Sequence, residues 1–299
     1  MDYEPDAGAA EVKFGRTVDV AAFAAMLLAP VAALAAPKPT VLEPISPWNV
    51  DWQDNSCQLV RKFGPPNDPT LLVVRQLNLS NALEFTVSGA AIKGVVQAKP
   101  VSIDYGVGKP RTVRSPQLAT NSLYGASIIV QERFAPGPAG KDEGLRGPDP
   151  SFERRVERIG MAASGLDLVL KTGRMGAPLQ ALHNCVNDLF SSWGIDTDMA
   201  RNQVKEPRIH DGVALARAIQ KGYPPALDQA GKSARVLFLL VVDVGGGVTD
   251  CHILQTTEEG LNGHVCREAS KARFAPARGE DGQPVTWYYT ATVVYKFTG

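Results

Sequence analysis

Apolar positions along the chain fall into three regimes. Between Trp48 and about Arg201 they come as short β-branched runs bounded by turn formers, at Thr70–Arg75, Leu83–Val87 and Ser127–Gln131, and these predict strands. From Pro178 to Trp193 the spacing becomes helical. Leu179, Leu182, Val186, Leu189 and Phe190 recur at three and four residues, with Gly194 as the stop. Beyond residue 205 the pattern changes again. Gly212–Lys221 predicts a short helix, and Ala234–Asp243 predicts a strand apolar on both faces, hence central or covered on both sides. Val244–Gly247 is a turn, with Val248–Thr256 as the returning arm of a hairpin. Leu261–Ala272 predicts an amphipathic helix. Thr286–Phe297 then alternates, with Trp287, Tyr289, Val293 and Tyr295 inward and Tyr288, Thr290 and Thr292 outward. The expected fold class is α+β. A β-rich N-terminal domain (48–201) precedes a small helix-strand-strand-helix-strand module with an antiparallel sheet (205–299).

The first residues belong to neither part. Lys13 and Arg16 precede the apolar run Val20–Ala36, which ends in Ala33-Leu34-Ala35 before Pro37. A basic start, an apolar stretch and an A-x-A site describe a secretory signal peptide over residues 1–35. The alternative is an uncleaved anchor. Its length of about 17 residues lies at the lower limit for spanning a bilayer, and Pro30 interrupts it. Residues 36–47 are spaced by prolines and suit an extended linker. Export makes disulfides stable, and four cysteines allow three pairings. Cys251 and Cys266 lie close in sequence, leaving Cys57 and Cys185 for each other; the alternative is four reduced thiols.

Composition removes some classes. The chain has 31 Lys+Arg and 31 Asp+Glu, with no dense basic stripe, so a nucleic-acid partner is not expected. With 28 glycines and 22 prolines, a turn-rich β protein is favoured over a helical bundle. No Gly-x-Ser-x-Gly elbow is present, and nothing proposes a catalytic set, so the chain reads as a binding protein and not an enzyme.

Two motifs are decoys. Asp243-Val244-Gly245-Gly246-Gly247 resembles an ATPase phosphate loop, whose glycine amides cradle phosphate. Only 49 residues follow Asp250, too few for such a fold, so a glycine hairpin is expected and no cofactor. Cys251-His252 with His264-Val265-Cys266 mimics a zinc set. Adjacent strand residues diverge, and residues two apart on a helix do not share a face, so a disulfide is expected there and no metal.

The order Tyr223-Pro224, Val241-Val242-Asp243, the glycine turn, Val248-Thr249-Asp250-Cys251, Leu261, Cys266 and Ala272-Arg273-Phe274-Ala275-Pro276-Ala277 resembles the TonB C-terminal domain over about residues 205–299. Upstream, Trp48, Ser56-Cys57, Arg61, Phe63-Gly64, Cys185, Leu189 and Trp193-Gly194-Ile195-Asp196 are similar to a domain that accompanies this module in alphaproteobacterial members. The resemblance implies a periplasmic energy transducer or adaptor that binds outer-membrane TonB-dependent receptors by strand addition, in support of transport. Gln220, Tyr223 and Pro224, with Tyr288, Thr290 and Thr292 on the last strand, become the implied partner-binding residues. An inner-membrane ExbB/ExbD-type motor is implied only if the N-terminal segment is retained; that segment lacks the family's anchor histidine. The competing reading is a self-associating envelope protein, a homodimer through the same strand edges.

Overall fold

The computed structural model describes residues 38–95, 99–134, 147–201 and 204–296. The expected signal peptide lies outside the described residues. In chain order the elements are β1 (Thr40–Leu42), β2 (Asn49–Gln53), β3 (Ser56–Phe63), β4 (Thr70–Arg75), β5 (Ala82–Ser88), β6 (Val101–Asp104), β7 (Arg111–Val113), β8 (Gln117–Asn121), β9 (Gly125–Arg133), α1 (Pro150–Glu153), β10 (Ile159–Ala163), β11 (Leu166–Leu170) and α2 (Gly176–Ser192). There follow β12 (Arg208–Ile209), α3 (Gly212–Gln220), α4 (Pro225–Gln229), β13 (Ala234–Val242), β14 (Val248–Thr256), α5 (Asn262–Ala269), β15 (Phe274–Ala275), β16 (Ala277–Arg278), β17 (Pro284–Val285) and β18 (Trp287–Tyr295). The fold is α+β and rich in strands.

Two sheets are built from residues before 201. One has the order β2-β3-β4-β5-β9-β8, the other β1-β11-β10-β6-β7. Their apolar faces share a core with α2: Leu59, Val74 and Phe85 from the first, Ile103 and Leu168 from the second, Leu182 and Phe190 from the helix. Alternation puts Cys57 and Leu59 of β3 on the α2 side, where Cys57 bonds Cys185 across a Cα separation of 6.1 Å. Helix α2 ends where expected, because Gly194 takes φ +76° and the Ile195 amide returns to the Phe190 carbonyl. The proline-spaced lead-in is not a free linker. Thr40–Leu42 pair in parallel with Leu168–Leu170, and Lys171 N–H donates to the Leu42 carbonyl. The periodicity of three residues was too short to reveal this.

A buried polar knot fixes α2 against the β4–β5 connection. His183 Nδ1 lies 2.7 Å from Gln76 Oε1, and its Nε2 lies 3.0 Å from Glu153 Oε1. Gln76 Nε2 donates to the Ser80 carbonyl. That bond leaves Gln76 Oε1 as the acceptor toward His183 Nδ1, which donates to it.

The remaining sheets come from residues after 204, centred on β14-β13-β18. Strand β13 is the middle strand, and both of its faces are covered, as its doubly apolar pattern predicts. Val236, Phe238, Leu240 and Val242 pack with Ile219, Val265, Ala269 and Phe274. Leu239 and Val241 belong instead to the core of the first two sheets. The described residues thus form one compact unit.

Candidate partner-binding edge

Strand β18 pairs with β13 in an unbroken register from Trp287↔Val242 to Tyr295↔Ala234. Its other edge has no strand neighbour among the described residues. Strand β14 is the opposite edge. It carries register irregularities at Leu237/Phe238 and Val241/Val242, and Cys251 ties it to α5 through Cys266, with a Cα separation of 5.6 Å. Irregular edges are poor templates for an added strand. The regular edge is β18.

Local chemistry places three expected site residues at one end of this edge. Helix α3 is capped by Asp211, whose carboxylate accepts from Ala214 N–H. It stops at Gln220, and Pro224 opens α4. Tyr295 Oη donates to the Ile219 carbonyl, and His264 Nε2 lies 3.0 Å from the same oxygen. Gly222 is required here, because a Cβ would overlap the His264 ring. Tyr223 stacks on Tyr295 with centroids 5.2 Å apart, and its hydroxyl donates to the Lys232 carbonyl. Burial pushes the Tyr295 phenol up to about 12. Tyr223 is raised too, by desolvation first and the Asp228 and Glu258 carboxylates second. Both rings therefore stay neutral donors at physiological pH. Gln220 is exposed beside this stack.

The outward residues of the last strand divide. Thr292 is exposed and Thr290 half-buried, but Tyr288 is buried. Its ring meets Phe190 edge-on at 5.1 Å, and its Oη accepts from Leu79 N–H at 3.1 Å. The expectation of an open outer face is corrected at Tyr288. Helix α2 and the β4–β5 connection supply an apolar surface there that periodicity in β18 alone could not reveal. A guest strand would reach the backbone edge of Tyr288, not its side chain.

The glycine turn holds its own anion. Gly245 and Gly247 amides donate to Asp243 Oδ1 at 2.8 and 2.9 Å, so the donors that a phosphate would need are already used. Gly246 has φ +80°, and a Cβ there would collide with the Phe274 carbonyl, whose own amide bonds Gly246 O. The zinc-like residues also separate: Cys251 and Cys266 are joined, His264 faces α3, and His252 stacks on Trp193 at 3.9 Å.

Residues 219–297 match the family model for the Gram-negative bacterial TonB protein C-terminal. The match begins in the last turn of α3 and runs to the end of β18. This module is a TonB C-terminal domain. The model covers the TonB domain alone and none of the two upstream sheets. No curated protein matches the chain. The TonB domain associates the chain with TonB-like proteins of envelope transport, a non-enzymatic transducing and adaptor family whose partners are, in general, outer-membrane receptors. Among the described residues, no helix is long and apolar enough to cross a membrane.

The resemblance pointed to the β18 edge, but sequence reasoning missed what surrounds it. The seam between the TonB domain and the β2–β9 sheet brings together Arg75, Glu84, Gln117, Arg235 and Gln255. These residues lie far apart in sequence and share no motif.

Proposed function

We propose that this chain is a periplasmic TonB-like transducer or adaptor. Its TonB domain takes the N-terminal box of an outer-membrane receptor as an added strand on β18. The observation that carries the reading is the regular β18 edge, without a strand partner among the described residues, inside the family-matched module, with Gln220, Tyr223 and Pro224 clustered at its Tyr295 end. Main-chain bonds along that edge would supply affinity, and the exposed Thr292 and half-buried Thr290 side chains selectivity. Affinity is expected to be modest, because the peptide loses conformational entropy on ordering. Coupling to an ExbB/ExbD-type motor would further require that the residues before 38 are retained, which N-terminal sequencing of membrane and soluble fractions decides.

The test is an NMR titration of the full chain with a peptide carrying a TonB-box-like segment. Shifts are expected on residues 287–295 and around Gln220, with a Lys296→Ala control unchanged. Shifts confined to residues 48–200, or no binding at millimolar peptide, would overturn the reading. Concentration-dependent dimerisation through the same residues without peptide binding would favour the self-associating envelope protein.

A further inference from the structure

The TonB domain does not seal completely against the β2–β9 sheet. A cleft of about 330 Å³ remains between β13–β14 and strands β3, β4, β5 and β9. That is space for about ten waters at ~30 Å³ each, at the lower end of ligand-site volumes, and at a seam between two folded parts where such sites concentrate.

The lining is polar at one side and apolar at the other. Glu84 is buried, and its Oε1 accepts from Gln255 Nε2 at 2.7 Å, with Arg75 Nη1 at 3.8 Å. Arg75 is braced by Gln58 Oε1, which accepts from its Nε and Nη2. Arg235 donates through Nη1 to Gln117 Oε1. Among the described residues its other guanidinium donors find no acceptor, and its Nε is buried without a partner. Ile129 and Leu254 supply the apolar side.

Charge in the cleft is unbalanced. Both arginines act on the one carboxyl, yet burial outweighs them and holds Glu84 above its usual range. Two guanidiniums therefore face a single carboxyl among the residues that line the cleft. An unpaired buried guanidinium donor is costly, and a planar carboxylate matches its fork.

We propose that this cleft is a binding site for a small organic carboxylate, held by Arg235 and Arg75 with its hydrocarbon body on Ile129 and Leu254. Because both the TonB domain and the upstream sheet line the site, occupancy stabilises their docked arrangement through mass action.

The experiment is a titration of the full chain with glutarate, against glycerol and against chloride at equal ionic strength. It follows the arginine Nε–Hε NMR signals and the melting temperature. Saturable shifts of the Arg235 and Arg75 signals in glutarate alone are expected, with a concentration-dependent rise in melting temperature. Arg235→Met should weaken binding by at least about tenfold. Leu254→Trp, which fills the apolar side and leaves both arginines, should abolish it with the fold intact. Equal shifts with chloride would mean an adventitious ion only. That result, the absence of saturation in millimolar glutarate, or unchanged binding in Leu254→Trp would each overturn the proposal.

Discussion

Both faces of β13, the middle strand of the β14-β13-β18 sheet, are buried, but by different means. One face closes on helices of the TonB domain itself, through Phe238, Leu240, Val265, Phe274 and Tyr295. The other closes on residues from outside it, with Leu239, Val241 and Tyr288 packed into the core of the upstream sheets. The first face is local and self-sufficient. The second has no cover unless the β2–β9 sheet and α2 are folded beneath it. A family module can thus keep its own core and still depend on a neighbour for half of its sheet.

The strongest way to break this comparison is to remove the neighbour. A fragment of residues 205–299 would expose Leu239, Val241 and Tyr288, at about 1.5–3 kcal/mol per side chain, or roughly 5–9 kcal/mol together. Denaturant unfolding followed by far-UV circular dichroism should place the fragment far below the full chain. Equal midpoints would show that the second face contributes nothing. A smaller effect is expected from Tyr288→Phe, which keeps the ring and removes the acceptor for the buried Leu79 amide. A loss of about 1–3 kcal/mol is expected in the full chain and none in the fragment, where Leu79 is absent; a loss in both would assign the effect to the TonB domain's own core.

The smallest effect concerns pH at the seam. Burial first, against the arginines Arg75 and Arg235, raises the Glu84 carboxyl. Below the ordinary carboxylate range, Glu84 is neutral in both states and carries no penalty. As pH rises through that range the unfolded chain ionises first, so folding stability falls until the folded-state value is passed. Glu84→Gln should flatten this decline, measured as melting temperature against pH. A decline of the same slope in the variant would place the titrating group elsewhere.

Much of the TonB domain was legible because its signals are local. The doubly apolar run Ala234–Asp243 announced a covered central strand, and the glycines announced the hairpin. What local signals could not carry was the identity of the cover. Tyr288 and Thr290 alternate as a wet face would, and only Phe190 and Leu79, far upstream, make Tyr288 a core residue. The three-residue β1 has too little periodicity to separate from a linker. Helix α4 hid behind Tyr223-Pro224-Pro225, where the prolines marked a break but also a helix start. The His183–Glu153–Gln76 knot left no trace either, since a histidine and an acid on separate elements look like ordinary surface polarity until the chain is folded.

The cysteines pair first with second and third with fourth. In the periplasmic export proposed above, the polypeptide would emerge N-terminus first, and no other thiol lies between Cys57 and Cys185. Cys57 therefore has no partner to choose wrongly until its own arrives. Once that bond closes, Cys251 emerges into a chain with no free thiol and waits only for Cys266. Of the three connectivities open to four cysteines, this is the one that vectorial emergence produces without any reshuffling, so correct pairing needs timely oxidation more than isomerisation.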